Sequence, residues 1–211
     1  LADRDIITGN SSKYMNANGY TLSPKSKNYH ALDSYVYEYV NCGGVKDNIK
    51  IEINYMLRCH VLPVARREVR LPWNEEKLTV LSVAPLEIFA SKTVALLTRT
   101  APRDLYDMYN MVKYGLFDES EEAMLRKCAV FYSAIGAECP PGRFEIDNVG
   151  NVSKQQIKRD LDPVLRKGER FELEVAQKEV CEYLASVLMP TEEEEMFWKA
   201  FAEGRYCPEL V

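Results

Sequence analysis

The architecture of this chain is decided by residues 85–109, which read PLEIFASKTVALLTRTAPRDLYDMY. Apolar residues recur at intervals of three and four from Leu86 to Leu97, which predicts an amphipathic helix. Pro102 stands where the first turn of a helix tolerates it, so a second helix is expected to begin there, with Thr100 as its N-cap. The link between the two helices is only two residues long, so we expect the second helix to fold back against the first.

Five charged residues interrupt this apolar pattern: Lys92, Arg99, Arg103, Asp104 and Asp107. Lys92 and Arg99 are seven residues apart and therefore lie on one stripe of the first helix. Arg103 and Asp107 have the spacing of an ion pair on the second helix. The spacing alone fits either a surface ion pair with a solvated lysine or the charged part of a binding site.

The residues before this helical pair predict a small sheet. Tyrosines alternate with other residues over 34–40, and isoleucines alternate with polar residues over 49–55, as expected of two strands of an antiparallel hairpin. Further strands are predicted over 66–71 and 78–83. Glu52 lies on the polar face of the second strand.

The residues after the helical pair predict more helices, over 119–137 and over 153–166, the latter ending near Gly168. Thr191 and Glu194 have the spacing of a capping box, which predicts another helix start there. The four consecutive glutamates at 192–195 are expected to form a solvated first turn. The sequence as a whole therefore predicts an α+β protein.

Composition excludes several functional classes. The chain of 211 residues is 46% hydrophobic and 28% charged, and its apolar runs are far too short to span a membrane. Residues 1–84 hold 11 Lys or Arg and 9 Asp or Glu, whereas residues 85–211 hold 16 and 23, so general wrapping of nucleic acid is disfavoured. Six widely spaced cysteines and two histidines do not predict a zinc site, and we expect reduced, mostly buried thiols in a cytoplasmic protein.

The charged helical segment resembles the signature of the AbiEii/AbiGii-type nucleotidyltransferase toxins. That signature runs as Lys, two residues, Ala-Leu, then Arg, then Arg-Asp-Leu-Tyr-Asp, which corresponds here to Lys92, 95–96, Arg99 and 103–107. Two weaker similarities lie at 49–55 and at 203–210. The resemblance therefore extends over roughly residue 30 to the C-terminus.

The resemblance implies a polymerase-beta-like nucleotidyltransferase fold, in which a mixed sheet region, residues 1–84, precedes a helical C-terminal lobe, residues 85–211. It implies a bacterial toxin of a type IV toxin-antitoxin or abortive-infection system, with a cognate antitoxin as partner. The implied reaction is Mg²⁺-dependent transfer of a nucleoside monophosphate from a nucleoside triphosphate, with GTP among the candidates, to an acceptor such as RNA, above all tRNA. No membrane partner is implied.

The resemblance also suggests roles for individual residues. Lys92 would contact the triphosphate, with Arg99 and Arg103 as further phosphate-binding cations, although Arg99 also suits the capping of its own helix C-terminus. One of Asp104 and Asp107 would orient the lysine or the acceptor hydroxyl, and the other would pair with Arg103. The sequence does not distinguish these two roles.

Glu52 would be the third carboxylate of the sheet and a ligand of the metal. The alternative for Glu52 is a solvent-facing side chain paired with its neighbours Lys50 or Asn54.

The sequence departs from the family at one point, because no Gly-Ser turn followed by Asp-x-Asp is present. Asp3 and Asp5 have the right spacing, but they have no Gly-Ser turn before them and no strand pattern. Since the chain begins with Leu1, we expect the nucleotide-binding half of the sheet to lie upstream and this chain alone to lack transferase activity. The alternative is a non-catalytic module that binds an antitoxin or RNA.

Overall fold

The computed structural model describes residues 3–55, 59–71, 74–137 and 140–211. The chain forms two compact units, Leu1–Cys59 and His60–Val211. Within the second unit the change from strands to helices comes at Pro85, where the predicted helical lobe begins. The division into residues 1–84 and 85–211 stays a prediction about the sheet and helical regions.

The first unit consists of one helix and a small antiparallel sheet. Its elements are α1 (Arg4–Ala17), β1 (Thr21–Leu22), β2 (Lys27–Asn28), β3 (Leu32–Val40) and β4 (Lys46–Asn54). Strand β3 lies in the middle, with β4 along one edge and the two short strands along the other. The predicted hairpin of residues 34–55 is confirmed as β3 and β4.

Side-chain contacts fix α1 on one face of this sheet. Met15 of the helix packs in a cluster with Tyr35 and Tyr37 of β3. Arg4 forms an ion pair with Asp33, whose side chain is almost fully buried, and this guanidinium holds the pKa of Asp33 below its ordinary value. Since a buried carboxylate is costly without a partner, the pair links the start of α1 to β3.

The second unit begins with another antiparallel hairpin and continues as helices. Its strands are β5 (Ala65–Leu71) and β6 (Asn74–Ser82), and its helices are α2 (Pro85–Arg99), α3 (Pro102–Lys113), α4 (Glu119–Gly136), α5 (Lys154–Gln156), α6 (Leu173–Val187) and α7 (Glu192–Ala202). Short 3₁₀ turns lie at Ile146–Asn151 and Pro208–Leu210. Its core is made by fully buried side chains of successive helices, among them Leu96, Leu105, Leu125 and Leu184.

The α+β class is confirmed, whereas the described strands do not form a mixed sheet. Every pairing among them is antiparallel, in two separate sheets. The physical reason lies in the connections: β3 and β4 are joined by five residues, which suffice for a hairpin, whereas a parallel pair needs a crossover of a dozen or more.

Two local predictions were wrong. The segment 153–166 is not one α-helix, because α5 passes into a π-helical stretch, Ile157–Leu161, and then a 3₁₀ turn, Asp162–Val164. Pro163 explains this, since it has no N–H to donate and its ring clashes with the preceding turn. Thr100 is not an N-cap, because it adopts the left-handed conformation, with φ of 49°, and ends α2.

A third correction concerns the acidic start of α7. The capping box of Thr191 and Glu194 is confirmed, but Glu194 is fully buried rather than solvated. Its carboxylate accepts the Nε–H of Arg126 at 2.8 Å and thereby ties α7 to α4. Sequence spacing cannot reveal this contact, because the partners are 68 residues apart.

The cysteines are less buried than predicted. Cys128 is buried, which raises the pKa of its thiol to about 12, but Cys42 and Cys59 are exposed. Cys139 lies outside the described residues. All five described cysteines are free thiols. In the described part of the chain, no helix combines the length and the apolar character that crossing a bilayer requires.

Candidate functional site

The candidate site lies where α2 and α3 pack against each other. Lys92, in the middle of α2, donates its ammonium to Asp107 of α3, with 2.5 Å between Nζ and Oδ2. The side chains are 37% and 36% exposed, so both charges can be reached from solvent. The pair joins residues 15 positions apart in the sequence, as expected if the second helix folds back against the first.

A second ion pair holds the turn between the same two helices. Arg99, the last residue of α2, donates two hydrogen bonds to Asp104, from Nε at 2.6 Å and from Nη2 at 2.8 Å. The Asp104 side chain is only 4% exposed, whereas that of Arg99 is 65% exposed. The carboxylate raises the pKa of Arg99, so this guanidinium stays charged. Such two-pronged pairs fix geometry, and this one links the last residue of α2 to the first turn of α3.

The structure therefore assigns partners to the two predicted acids. Asp107 pairs with Lys92, and Asp104 pairs with Arg99. The predicted ion pair between Arg103 and Asp107 is wrong, because the Arg103 Nε–H is donated to the carbonyl oxygen of Asp160 at 3.2 Å. Helical spacing put the two residues within reach, but the packing of the π-helical stretch offered Arg103 another acceptor.

A pocket of about 320 Å³ opens beside the Lys92–Asp107 pair. Its walls come from α3 and from the irregular segment after α5, and they are formed by Arg103, Tyr106, Asp107, Leu161, Val164, Leu165, Arg166 and Glu169. The Tyr106 hydroxyl donates to Glu169 at 2.6 Å, which raises the pKa of the tyrosine and closes one side of the pocket.

The charges around this pocket suit an anionic ligand held next to an acid. Arg103 and Arg166 line the pocket together with Asp107 and Glu169, and Lys92 adds a third cation through its contact with Asp107. Phosphate groups are bound by such clusters of arginine and lysine, which attract them over several ångströms. Asp107 lines this pocket while its carboxylate is paired with Lys92.

Glu52 lies in the first unit, on β4. Its side chain is 46% exposed and accepts an ion pair from Lys50, with 2.6 Å between Nζ and Oε1. This is the solvent-facing alternative that the sequence had left open. Among the described residues, no three His, Cys, Asp or Glu side chains come together as a metal site. The assignment of Glu52 as a metal ligand stays a prediction.

Sequence reasoning missed the second wall of the pocket. Leu161, Arg166 and Glu169 were read as part of, or just after, a regular helix, and nothing in their spacing placed them near α3. Pro163 was the available signal, because a proline inside a predicted helix marks an irregular segment. Tyr106 lies inside the signature but had been given no role.

A comparison with known protein families shows to which family the chain belongs. The family model described as "Nucleotidyl transferase AbiEii toxin, Type IV TA system" matches residues 15–202. The chain belongs to this family. The match begins near the end of α1 and ends with the last residue of α7, so it includes the α2–α3 pair and the pocket wall. Comparisons with curated proteins and with solved structures found no match.

Membership in the AbiEii family confirms the resemblance that was inferred from the signature at residues 92–107. The family is one of nucleotidyltransferase toxins from type IV toxin-antitoxin systems, so a cognate antitoxin is implied.

The two ion pairs predict different effects on stability. Arg99→Ala leaves the buried Asp104 carboxylate without its partner and should lower the free energy of unfolding by about 2 kcal/mol. Lys92→Ala removes a half-exposed charge and should change it by less than about 0.5 kcal/mol. Urea unfolding followed by circular dichroism measures both variants against the wild type. An equal loss of stability in the two variants would show that Lys92 is also a structural residue.

Proposed function

We propose that Lys92 and Arg103 bind the phosphate tail of a nucleoside triphosphate and that Asp107 prepares the acceptor hydroxyl for nucleotidyl transfer. The observation that carries this proposal is the accessible Lys92–Asp107 pair at 2.5 Å beside a pocket lined by further cations. Family membership supplies the reaction class. RNA, above all tRNA, is the proposed acceptor, GTP is the first nucleotide to test, and the cytoplasm is the proposed place of action.

In the proposed reaction, Lys92 and Asp107 separate and have different roles. A phosphate oxygen of the nucleotide would replace Asp107 as the partner of the Lys92 ammonium, which leaves the carboxylate free. Asp107 would then accept the proton of the acceptor hydroxyl as its oxygen attacks the α-phosphorus. The bond from that phosphorus to the bridging oxygen breaks, and pyrophosphate leaves with its negative charge balanced by Lys92 and Arg103.

The proposal narrows the set of phosphate-binding residues. The Nε–H and an Nη2–H of Arg99 are both donated to the buried Asp104. We therefore assign Arg99 to joining α2 and α3 rather than to binding the nucleotide. Asp104 is assigned to the same structural task. Arg103 keeps most of its guanidinium free, because the structure records one hydrogen bond from its Nε and the side chain is exposed.

The Mg²⁺ ion expected for this reaction does not fit the described residues. Glu52 is paired with Lys50, and no cluster of three possible ligands is present in the described ranges. The metal therefore stays part of the proposal without a ligand cluster among the described residues, and the steps above involve protein side chains only.

Nucleotide binding by Lys92 can be tested directly. Lys92→Ala should lose at least tenfold in affinity for GTP in the presence of Mg²⁺, and Lys92→Arg should fail as well, because a planar guanidinium does not replace a compact ammonium. Lys178→Ala is the matched control, since this lysine is an exposed residue of α6 paired only with Glu182. Isothermal titration of each folded variant gives the affinities.

Two results would contradict the nucleotide site. One is an unchanged affinity of Lys92→Ala, and the other is an equal loss in Lys92→Ala and Lys178→Ala, which would indicate a diffuse charge effect. Binding of RNA or of a protein partner without any binding of a triphosphate would favour the non-catalytic module.

The role of Asp107 can be tested through toxicity. Asp107→Ala, in the natural full-length protein expressed in a bacterial host, should abolish growth inhibition, because the acceptor hydroxyl would lack its base. The variant should stay soluble and keep the unfolding midpoint of the wild type, since its side chain is 36% exposed. Growth curves after induction measure the effect, and a soluble variant that remains toxic would remove Asp107 from the mechanism.

A further inference from the structure

Strand β4 has one edge that is not covered by any strand in the described part of the chain. It pairs with β3 along nine residues, and no described strand pairs with its other edge. The direction of its backbone groups is fixed by two hydrogen bonds. The N–H of Tyr55, just past the strand, is donated to Ala31 on the β3 side, whereas the N–H of Asn48 is donated to the Asp47 carboxylate at 2.7 Å. Because neighbouring residues alternate, the N–H and C=O groups of Lys50 and Glu52 point toward the open edge.

The sequence of this edge is symmetric. Residues 48–54 read Asn-Ile-Lys-Ile-Glu-Ile-Asn, which is the same in both directions about Ile51 except at one position. That exception is Lys50 on one side and Glu52 on the other, two residues of opposite charge. A strand of this kind is complementary to a second copy of itself turned by a two-fold axis.

We propose that β4 pairs antiparallel with β4 of a second copy of this chain, with the two-fold axis at Ile51. Lys50 then lies directly opposite Glu52 of the partner subunit, and Glu52 lies opposite Lys50 of the partner subunit. Opposite charges that face each other across an antiparallel pair are favourable. The open N–H and C=O groups of these residues form hydrogen bonds between the two copies, and the two sheets become one.

The register centred on Ile51 sets the charges of Lys50 and Glu52 opposite each other and aligns their outward-pointing backbone groups. If the pairing between the two copies shifts by one residue, backbone groups that point toward the partner strand face backbone groups that point away from it. The isoleucines of the two copies then lie on opposite faces of the joined sheet. A shift of the axis to Lys50 sets two lysines opposite each other, and a shift to Glu52 does the same with two glutamates. Like charges directly opposite each other are unfavourable.

The apolar face of the strand supports the same pairing. Ile51 and Ile53 pack against the cluster of Met15, Tyr35 and Tyr37, whereas Ile49 is 43% exposed. In the proposed dimer Ile49 faces Ile53 of the partner subunit, and the exposed isoleucine becomes part of a shared apolar surface. The area buried by one strand edge is small, so the dimer should be weak and depend on protein concentration.

Sedimentation equilibrium across a range of concentrations tests this pairing through charge reversal. The wild type should rise toward twice the mass of one chain, and Lys50→Glu or Glu52→Lys alone should weaken association about tenfold. The double variant K50E/E52K should restore it. Lys77→Glu is the control, because Lys77 is an exposed lysine on β6, outside this edge, and its reversal should leave association unchanged.

Mixing the two single variants separates pairing between chains from effects within one chain. The Lys50→Glu chain presents two acids and the Glu52→Lys chain presents two lysines, so the mixture should form mixed dimers more strongly than either variant associates alone. A single-chain mass for the wild type at all concentrations would overturn the proposal, and so would dimers that neither reversal weakens. Association is measured without nucleotide, so failure here leaves the nucleotide proposal untouched.

Discussion

The turn between α2 and α3 is the constraint on which the candidate site depends. The buried Asp104 holds Arg99 through two hydrogen bonds, and Thr100 takes up the left-handed backbone that reverses the chain. Across the two helices that this turn joins, Lys92 of α2 contacts Asp107 of α3. The structure thus contains two different ion pairs between α2 and α3: in one the carboxylate of Asp104 is buried, and in the other both Lys92 and Asp107 are partly exposed.

Much of this arrangement could be predicted from residue order. The intervals of three and four before Leu97, together with Pro102, predict two helices and a short turn, and alternation over residues 34–55 predicts the first hairpin. These features are local, since each depends on neighbours within a few positions. The signature that carries Lys92 and Asp107 then indicated the family, and the family model confirms it.

Other features depended on contacts between distant residues and could not be predicted. Glu194 is buried because Arg126, far away in sequence, supplies its partner. The pocket wall around Arg166 exists because Pro163 interrupts a helical segment and lets it pack against α3. The pairing of Arg103 with Asp160 has the same origin. Sequence spacing indicates which residues can come into contact, and tertiary packing determines which of these contacts form.

The proposed contact between Lys92 and the phosphate tail of the nucleotide can be tested most directly by chemical labelling of lysines. A nucleotide carrying an amine-reactive acyl group on its terminal phosphate acylates the lysine nearest to that phosphate, and peptide mass spectrometry identifies it. We predict that Lys92 is labelled and that an excess of unmodified triphosphate prevents the labelling. Labelling spread over exposed lysines such as Lys178, with Lys92 unmodified, would contradict the account.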